Sequence, residues 1–356
     1  IYIMNVDHCN THSSFKDKVY MSNLCQEITL PTKPLNHIDD EEGEIALCIL
    51  SAINVGIIKD LDDLEELCEL AVRALEEIID YQKYPIKAAE ISTKARRSLG
   101  IGYIGLAHYL ARNKVPYSHK SAWKLVHDLT EAFQYYLLKA SNKLAEERGP
   151  CEYFNRTKYS EGILPIDTYK KDLDDIVPNK LKYDWDTLRK DIQLHGLRHS
   201  TLSAQMPSES SSVVSNATNG IEPPRGYLSI KKSKKGPLKQ IVPQYYSLKN
   251  DYTLLWEMTS NEGYINVVAV MQKFFDQAIS GNWSYNPTQY EDNEVPMSVM
   301  IKDLLTTYKL GWKTSYYQNT YDFKTDPSEL EETPLERSEF KGSDEEYDEY
   351  CEACAI

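Results

Sequence analysis

A long amphipathic segment between residues 121 and 148 restricts the folds open to this chain. Its apolar side chains recur every three or four residues and form one stripe: Leu125, Val126, Leu129, Phe133, Tyr136, Leu137, Ala140 and Leu144. This spacing predicts an α-helix, with Ser121 as a suitable N-cap and Arg148-Gly149-Pro150 as the stop. A helix of this length can bury its stripe only against a sheet or other helices, so a large packed domain is expected.

Further helices and short strand-like runs surround this segment. Residues 61–79 have helical spacing that ends near Tyr84-Pro85, and residues 296–309 also favour a helix. The β-like runs are Ile1–Val6 and Glu27–Leu30. Residues 265–279 are apolar and form a further helix candidate, although the strand-like run Val267–Val270 lies inside them. Strands that alternate with long helices predict an α/β fold with mostly parallel strands.

The negative charge of the chain is concentrated at one end. The 356 residues include 54 acidic and 40 basic side chains, which gives a formal net charge of −14. Residues 325–356 contain twelve acidic and two basic side chains, and therefore hold ten of the fourteen net negative charges. Such a polar segment has too little apolar surface to offset the entropy lost on ordering. We therefore expect a folded part at residues 1–324, followed by a mobile acidic tail.

Composition also excludes several classes of protein. The acidic balance argues against a nucleic-acid partner. No run approaches the ~18 apolar residues of a membrane span, so we expect neither a membrane partner nor a secretion signal. We expect a cytoplasmic location. Seven cysteines in so long a chain do not indicate a disulfide scaffold. Because Ile1 begins what reads as a strand already under way, we expect the chain to be part of a longer polypeptide.

Two motifs that resemble functional signatures have simpler structural explanations. Gly100-Ile101-Gly102-Tyr103-Ile104-Gly105 matches a dinucleotide-binding fingerprint, but the polar residues before it do not form the buried strand that such a site needs. Close backbone packing is therefore the favoured explanation. The basic run Lys231–Lys235 is expected to be a solvated loop. The histidines lack the context of a convincing metal site, and no metal ligand is assigned.

One short segment has the residue types of a reactive centre. Asn23, Cys25 and Glu27 alternate along the chain, so that in an extended strand the three side chains would share one face. An amide, a thiol and a carboxylate would then meet around one substrate. Taken alone, a buried cysteine between polar turn residues explains the same pattern, and both interpretations stay open at this point.

A set of ordered motifs resembles the large subunit of class I ribonucleotide reductase. The resemblance runs along the whole chain, to the last residue, and is carried by these segments: Ser22-Asn23-Leu24-Cys25-Gln26-Glu27-Ile28-Thr29-Leu30-Pro31-Thr32, Gly43-Glu44-Ile45-Ala46-Leu47-Cys48, Met206-Pro207-Ser208-Glu209-Ser210-Ser211, Asn216–Arg225, Lys313-Thr314-Ser315-Tyr316-Tyr317-Gln318-Asn319-Thr320, and Cys351-Glu352-Ala353-Cys354. By this resemblance the chain would be the second half of a ten-stranded α/β barrel with a central finger loop. The flexible acidic tail, residues 325–356, would be a redox arm.

The resemblance implies a role for each candidate residue around the thiol. Cys25 would carry a transient thiyl radical that removes the 3′ hydrogen of a ribonucleoside diphosphate. Glu27 would act as the general base for the 3′ hydroxyl, and Asn23 would hold the substrate hydroxyls. Cys48 would be one of two thiols that reduce the 2′ position and end as a disulfide.

The remaining motifs would serve the substrate, the radical and the thiols. The segment Pro207, Ser208, Glu209, Ser210 and Ser211 would bind the diphosphate through backbone amides that open a helix. Tyr316 and Tyr317 would end a radical relay. The tail pair Cys351 and Cys354 would reduce the internal disulfide and be recharged by thioredoxin or glutaredoxin.

The same resemblance predicts partners and leaves alternatives open. No cofactor would bind this chain: a small radical-generating subunit would supply the oxidant from its metal site. ATP and deoxynucleotide effectors would bind an N-terminal half, which the chain would need for activity. One alternative is a cobalamin-dependent reductase, against which the Tyr316-Tyr317 pair argues. The other is a non-catalytic interaction fragment.

Overall fold

A computed structural model describes residues 2–233 and 236–322 of the chain. Its helices are α1 (Val6–Thr11), α2 (Asp63–Tyr81), α3 (Lys87–Arg96), α4 (Leu106–Arg112), α5 (Lys120–Arg148), α6 (Pro165–Thr168), α7 (Trp185–His195), α8 (Glu209–Val214), α9 (Tyr245–Leu248), α10 (Glu262–Gln272) and α11 (Met297–Lys309). Its strands are β1 (Ile3–Met4), β2 (Ile49–Asn54), β3 (Leu99–Ile104), β4 (Leu228–Ser233), β5 (Gly236–Ile241), β6 (Trp283–Tyr285), β7 (Thr314–Ser315) and β8 (Gln318–Thr320). Short 3₁₀ turns connect several of them.

Helix α5 lies at the centre of the hydrophobic core, as its stripe predicts. It packs against α2 and α10, and its Phe133 ring meets Tyr103 of β3 at a centroid distance of 5.3 Å. The stop at Gly149 is confirmed, because this residue ends the helix with a φ of +82° that glycine adopts without strain. The N-cap is His119 rather than Ser121, since the His119 ring accepts the amide of Ser121 at 3.2 Å. Within the described residues, no helix is long and apolar enough to cross a membrane.

Parallel pairing builds the layer that positions the site. Strands β2 and β3 run parallel, with Ile49 opposite Leu99. Parallel bridges extend this layer from Ile101 to Ser203, and from Gln205 to Ile279. Strands β6 and β8 are also parallel, whereas β1 with β7 and β4 with β5 are antiparallel. The α/β class is therefore confirmed, but the pairing in the described part of the chain is mixed rather than mostly parallel.

Several local expectations differ from the structure. Of the helix candidate at 265–279, helix α10 covers the residues up to Gln272 and includes the strand-like run Val267–Val270. All residues from Gly263 to Gln272 are buried, so this helix has no polar face. At the start of the chain, only Ile3–Met4 is strand, and helix α1 begins at Val6. The first part of the basic run expected to be a loop, residues 231–233, belongs to strand β4.

Candidate active site

The segment from Asn23 to Glu27 is a tight turn and not the extended strand that the alternating pattern predicts. The amide of Gln26 donates to the Asn23 carbonyl at 3.2 Å, and Gln26 has a left-handed φ of 69°. The Asn23 side-chain oxygen accepts the amide of Ile28 at 3.1 Å and so closes the turn. The turn still brings the two outer side chains together, because Asn23 hydrogen-bonds the Glu27 carboxyl group.

Glu27 is a buried carboxyl group that contacts the hydroxyl of Ser280, and the same hydroxyl also contacts the Cys25 carbonyl. It is 2% exposed, and this burial raises its pKa, opposed by hydrogen bonds from Asn23 and Ser280. The Ser280 hydroxyl lies 3.2 Å from Glu27 Oε2 and 2.5 Å from the Cys25 carbonyl oxygen. Because a hydroxyl carries one hydrogen, Ser280 can donate to only one of them at a time. It therefore joins the thiol-bearing turn and the carboxyl group at one point.

Tyr316 brings a phenol to the Cys25 thiol. The Tyr316 hydroxyl lies 3.5 Å from Cys25 Sγ, across 291 residues of sequence. Its ring is 4.0 Å, centroid to centroid, from that of Tyr317, and Tyr2 stacks on Tyr316 at 5.4 Å. Tyr316 is 2% exposed whereas Tyr317 is 45% exposed. The tyrosine pair therefore forms a continuous aromatic contact from the surface to the thiol.

Backbone pairing fixes the two tyrosines in this position. The Tyr316 amide donates to the Gly281 carbonyl at 2.8 Å, and the Trp283 amide donates to the Tyr317 carbonyl at 2.9 Å. The Tyr317 amide donates to the Asn282 side-chain oxygen at 2.9 Å. Residues 281–283 thus hold the two tyrosines, and Ser280, just before them, contacts Glu27. The stretch 277–283 is therefore one structural unit that holds both the tyrosines and Glu27.

Cys48 lies at the other end of this unit, against strand β3. Gln277 Nε2 lies 3.4 Å from Cys48 Sγ. A Cβ atom added at Gly100 would lie 2.8 Å from that sulfur and 2.6 Å from Leu50 Cδ2, closer than real contacts allow. The Gly100 motif is therefore a close backbone approach, as predicted; residues 100–104 of the motif lie in strand β3, and Gly105 follows the strand.

The Pro207–Ser211 segment begins beside the same unit. Gln205 lies two residues before Pro207. Its backbone amide donates to the Ala278 carbonyl at 3.1 Å, and its carbonyl accepts the backbone amide of Ser280 at 2.9 Å. Ser208 precedes the first residue of α8 and is buried, while Ser211 and Glu209 are exposed.

The structure thus brings most of the predicted residues together. Asn23 contacts Glu27, Tyr316 contacts Cys25, and Ser280 links the Cys25 carbonyl to Glu27. Gln277 connects Cys48 to Thr29, two residues after Glu27. The serine segment begins next to residues 278–280. The predicted redox cysteines Cys351 and Cys354 lie outside the described residues, as does the whole tail from 325 to 356.

Sequence reasoning missed three buried polar residues that hold the site. Gln277 and Ser280 contact Cys48, Cys25 and Glu27 as described, and Lys313 donates from Nζ to the carbonyls of Asp276 and Gln277, both at 2.8 Å. Burial lowers the pKa of Lys313 to about 7. A signal was present: Gln277 and Ser280 are polar residues at the end of an apolar run, a pattern that marks buried hydrogen-bonded groups.

One group of potential metal ligands occurs in the described ranges, away from this site. His127, Asp128 and Glu131 of α5 offer ligand atoms within 4.8 Å of one another. Lys182 Nζ lies 2.7 Å from Asp128, however, and Lys273 Nζ lies 3.2 Å from the His127 ring. Two ammonium groups therefore already pair with this cluster, and the absence of an assigned metal stays a prediction.

Comparison with known proteins gives consistent matches. The family model described as "Ribonucleotide reductase, barrel domain" matches residues 1–251 and 245–318. The "ribonucleoside-diphosphate reductase subunit alpha" of Haemophilus influenzae is 63% identical over 332 residues, which cover 92% of this chain and 44% of that protein.

More distant relatives agree. The "ribonucleoside-diphosphate reductase 1 subunit alpha" of Escherichia coli is 60% identical over 325 residues, covering 90% of this chain and 43% of the relative. The alpha subunit of enterobacteria phage T4 is 44% identical over 339 residues, or 93% and 44% of the two chains. The chain spans less than half the length of these curated relatives.

Proposed function

The chain belongs to the ribonucleotide reductase barrel-domain family, and from this premise we propose that it is the catalytic barrel part of a ribonucleoside-diphosphate reductase alpha subunit. The reaction proposed is reduction of ribonucleoside diphosphates to 2′-deoxyribonucleoside diphosphates. The observation that supports it most directly is the contact of 3.5 Å between the Tyr316 hydroxyl and Cys25 Sγ, beside the buried Glu27 carboxyl group.

The proposed radical step uses this contact. A Tyr316 phenoxyl radical takes the hydrogen atom of the Cys25 thiol, which restores the phenol and leaves a thiyl radical. The thiyl radical then removes the 3′ hydrogen atom of the ribose, and the Cys25 thiol returns a hydrogen atom to the 3′ carbon after the 2′ position has been reduced. The oxidant for the tyrosine pair comes from the metal site of a small radical-generating subunit, and the exposed Tyr317 is the side chain placed to receive it. The contact between the Tyr316 hydroxyl and the Cys25 sulfur favours a hydrogen-atom transfer between these two groups.

Glu27 and Asn23 are proposed to act on the sugar hydroxyls. Glu27 takes the 3′ hydroxyl proton as general base, and burial raises its pKa toward the range in which a carboxylate is a useful base. Asn23 hydrogen-bonds Glu27 and orients it. This pair lies on the turn that carries Cys25, so that base and radical act on the same edge of the ribose.

Cys48 is proposed to supply reducing equivalents. Together with a second thiol it provides two electrons and two protons: the 2′ hydroxyl leaves as water, the 2′ carbon gains hydrogen and the two sulfurs form a disulfide. The second thiol is expected on the N-terminal half of the alpha subunit. Cys351 and Cys354 then reduce the disulfide by thiol exchange, with thioredoxin or glutaredoxin as the external reductant.

The substrate's diphosphate is proposed to bind at Pro207, Ser208, Glu209, Ser210 and Ser211. This segment opens α8 and begins next to Gln205, which is hydrogen-bonded to the Ser280 segment. Small hydroxylated residues with backbone amides suit an anion. ATP and deoxynucleotide effectors are expected on the N-terminal half.

The proposed architecture and location follow from the same family. The paired segments β2, β3, 201–205 and 277–280 would form part of a ten-stranded barrel, with the 20–30 turn region as its finger loop. Because the curated relatives are more than twice as long as the matched region, turnover is proposed to require the N-terminal half. The assembled enzyme would work in the cytoplasm.

A reconstitution experiment tests this function. The purified chain is mixed with the remaining part of the Haemophilus influenzae alpha subunit, that organism's small subunit, thioredoxin with its reductase, and a ribonucleoside diphosphate. We expect deoxynucleotide product with the complete mixture, none from the chain alone, and none with Cys25→Ser.

Three results would contradict the proposal. Product from the chain alone would show that no N-terminal half is needed. Product restored by adenosylcobalamin in place of the small subunit would identify the other reductase class. If the chain assembles with the other subunits but no product forms, and Cys25→Ser leaves the assembly unchanged, the chain would be an interaction fragment.

A further inference from the structure

Gln277 is a buried side chain that contacts a proposed redox thiol. It is 0% exposed and lies between strand β3 and the turn region that contains Thr29. Its Nε2 atom has two neighbours, the Leu99 carbonyl at 2.9 Å and Cys48 Sγ at 3.4 Å. Its Oε1 atom accepts the amide of Thr29 at 3.2 Å. Every hydrogen-bonding position of the amide except one lone pair is therefore used.

These partners determine which end of the amide faces the sulfur. The Thr29 amide can only donate and the Leu99 carbonyl can only accept, so the oxygen of Gln277 must face Thr29 and its nitrogen must face Leu99. One N–H of Nε2 is taken by Leu99. The other is directed to Cys48 Sγ, and the sulfur thus acts as a hydrogen-bond acceptor.

The backbone of Gln277 is held as firmly as its side chain. Its amide donates to the Ser203 carbonyl at 3.0 Å. Its carbonyl accepts from Lys313 Nζ and from Gln272 Nε2, each at 2.8 Å. Because Lys313 lies three residues before Tyr316, the same residue that contacts Cys48 is tied to the chain segment that carries the tyrosine pair.

The surroundings of Cys48 make this single donor significant. Desolvation by the packed neighbours raises the pKa of the Cys48 thiol, and the negative charges of Glu27 and Asp276 raise it further. The Gln277 hydrogen bond opposes these effects. A donor strengthens its bond when the acceptor becomes charged, so it favours the thiolate over the thiol.

We propose that Gln277 is a positioning residue that holds the Cys48 sulfur and stabilises its thiolate. The inference rests on the proposed function, in which Cys48 reacts as one of the two reducing thiols. Thiolates are the form that attacks disulfides and electrophiles. Gln277 therefore controls both where the sulfur lies and how readily it enters thiol exchange.

Site-resolved alkylation of the full chain tests the proposal without turnover. Iodoacetamide reacts with partly exposed Cys48, and mass spectrometry of the peptides gives its rate between pH 7 and 10. Gln277→Glu replaces the donor by an oxygen. We expect about a tenfold lower rate at Cys48 at each pH, equivalent to one pKa unit or about 1.4 kcal/mol. Gln277→Met removes the donor without adding an acid, and we expect the same direction of change.

Two controls separate this effect from loss of structure. Gln205→Glu makes the same exchange at a buried glutamine whose three side-chain partners are backbone groups of Tyr103 and Met206. In this control, the alkylation rate of Cys48 should stay within about twofold of that in the unchanged chain. Cys68, which is 0% exposed, reports unfolding within every variant. Faster alkylation of Cys68 identifies a variant that has opened.

The outcomes are distinct. An unchanged Cys48 rate in folded Gln277→Glu or Gln277→Met overturns the proposal. An equal decrease in Gln205→Glu also overturns it, because the effect would then be one of packing. If the rate changes as expected while the reconstituted enzyme makes no product, Gln277 does position Cys48 and the proposed function is what fails.

Discussion

Gly100→Ala is a substitution whose cost can be worked out from the packing around one atom. The added Cβ would lie 2.6 Å from Leu50 Cδ2, 2.8 Å from Cys48 Sγ and 3.2 Å from Ala204 Cβ, whereas ordinary contact begins at 3.4 Å. The two closest atoms are ends of side chains and can move. We therefore expect a loss of about 1–2 kcal/mol in the free energy of unfolding, measured by urea denaturation of the chain.

The same substitution should also lower activity, because it displaces the sulfur of a proposed reacting group. To reach ordinary contact, the Cys48 sulfur must retreat from 2.8 Å to at least 3.4 Å from the new atom. A misplacement of 1 Å at a reacting group costs about 100-fold in rate, so we expect about a tenfold lower kcat in the reconstituted reductase with little change in KM. The assay is formation of deoxynucleotide at saturating ribonucleoside diphosphate.

Gly102→Ala is the matched control on the same strand. Its Cβ would lie 2.7 Å from the Ala204 backbone oxygen, which cannot yield without moving the neighbouring segment. This variant should therefore lose more stability, about 3 kcal/mol. A larger loss for Gly100→Ala would refute the packing argument. Wild-type kcat in folded Gly100→Ala would refute the claim that the sulfur must stay where it is.

Three further substitutions test other parts of the site and the fold. Tyr316→Phe keeps the ring and removes the hydroxyl that contacts Cys25, so product formation should fall to background while the free energy of unfolding changes by less than about 1 kcal/mol. Glu27→Gln should lower kcat by about 10²–10⁴-fold. Because burial raises the Glu27 pKa, the acid-side decline of wild-type kcat/KM should occur at a higher pH than an ordinary glutamate would give. This acid-side decline should be absent in the variant. Glu76→Gln removes a buried carboxylate that pairs with Arg97 at 2.8 Å, so the free energy of unfolding at pH 7, measured by urea denaturation, should fall by about 3 kcal/mol. Pairing lowers the Glu76 pKa below its unfolded value, so the wild-type free energy of unfolding should decline as pH falls below about 5. The variant should not show this pH dependence.

Several elements could be predicted because their signal is local. Helices α2, α5 and α11 have apolar side chains that recur at helical spacing, and their bounds match the predicted segments closely. The ordered motifs likewise identified the family and the residue types of the site. Each of these conclusions depends only on neighbours along the chain.

Local patterns were ambiguous where burial is complete, and they failed where a turn competes with a strand. Helix α10 is buried on all sides, so periodicity cannot distinguish it from a strand. The alternation of Asn23, Cys25 and Glu27 predicts an extended segment, yet the Asn23 side chain closes a turn there. An asparagine that bonds its own backbone offers an alternative that the alternation does not reveal.

By itself the sequence determined which residues are available for chemistry, where the long helices run and where the acidic charge collects. Only the tertiary structure decided that a phenol 291 positions away touches Cys25, and that Gln277 and Ser280 hold Cys48 and Glu27. The reason is physical: periodicity reports which face of an element is buried, whereas the identity of the atoms met on that face depends on packing between distant segments.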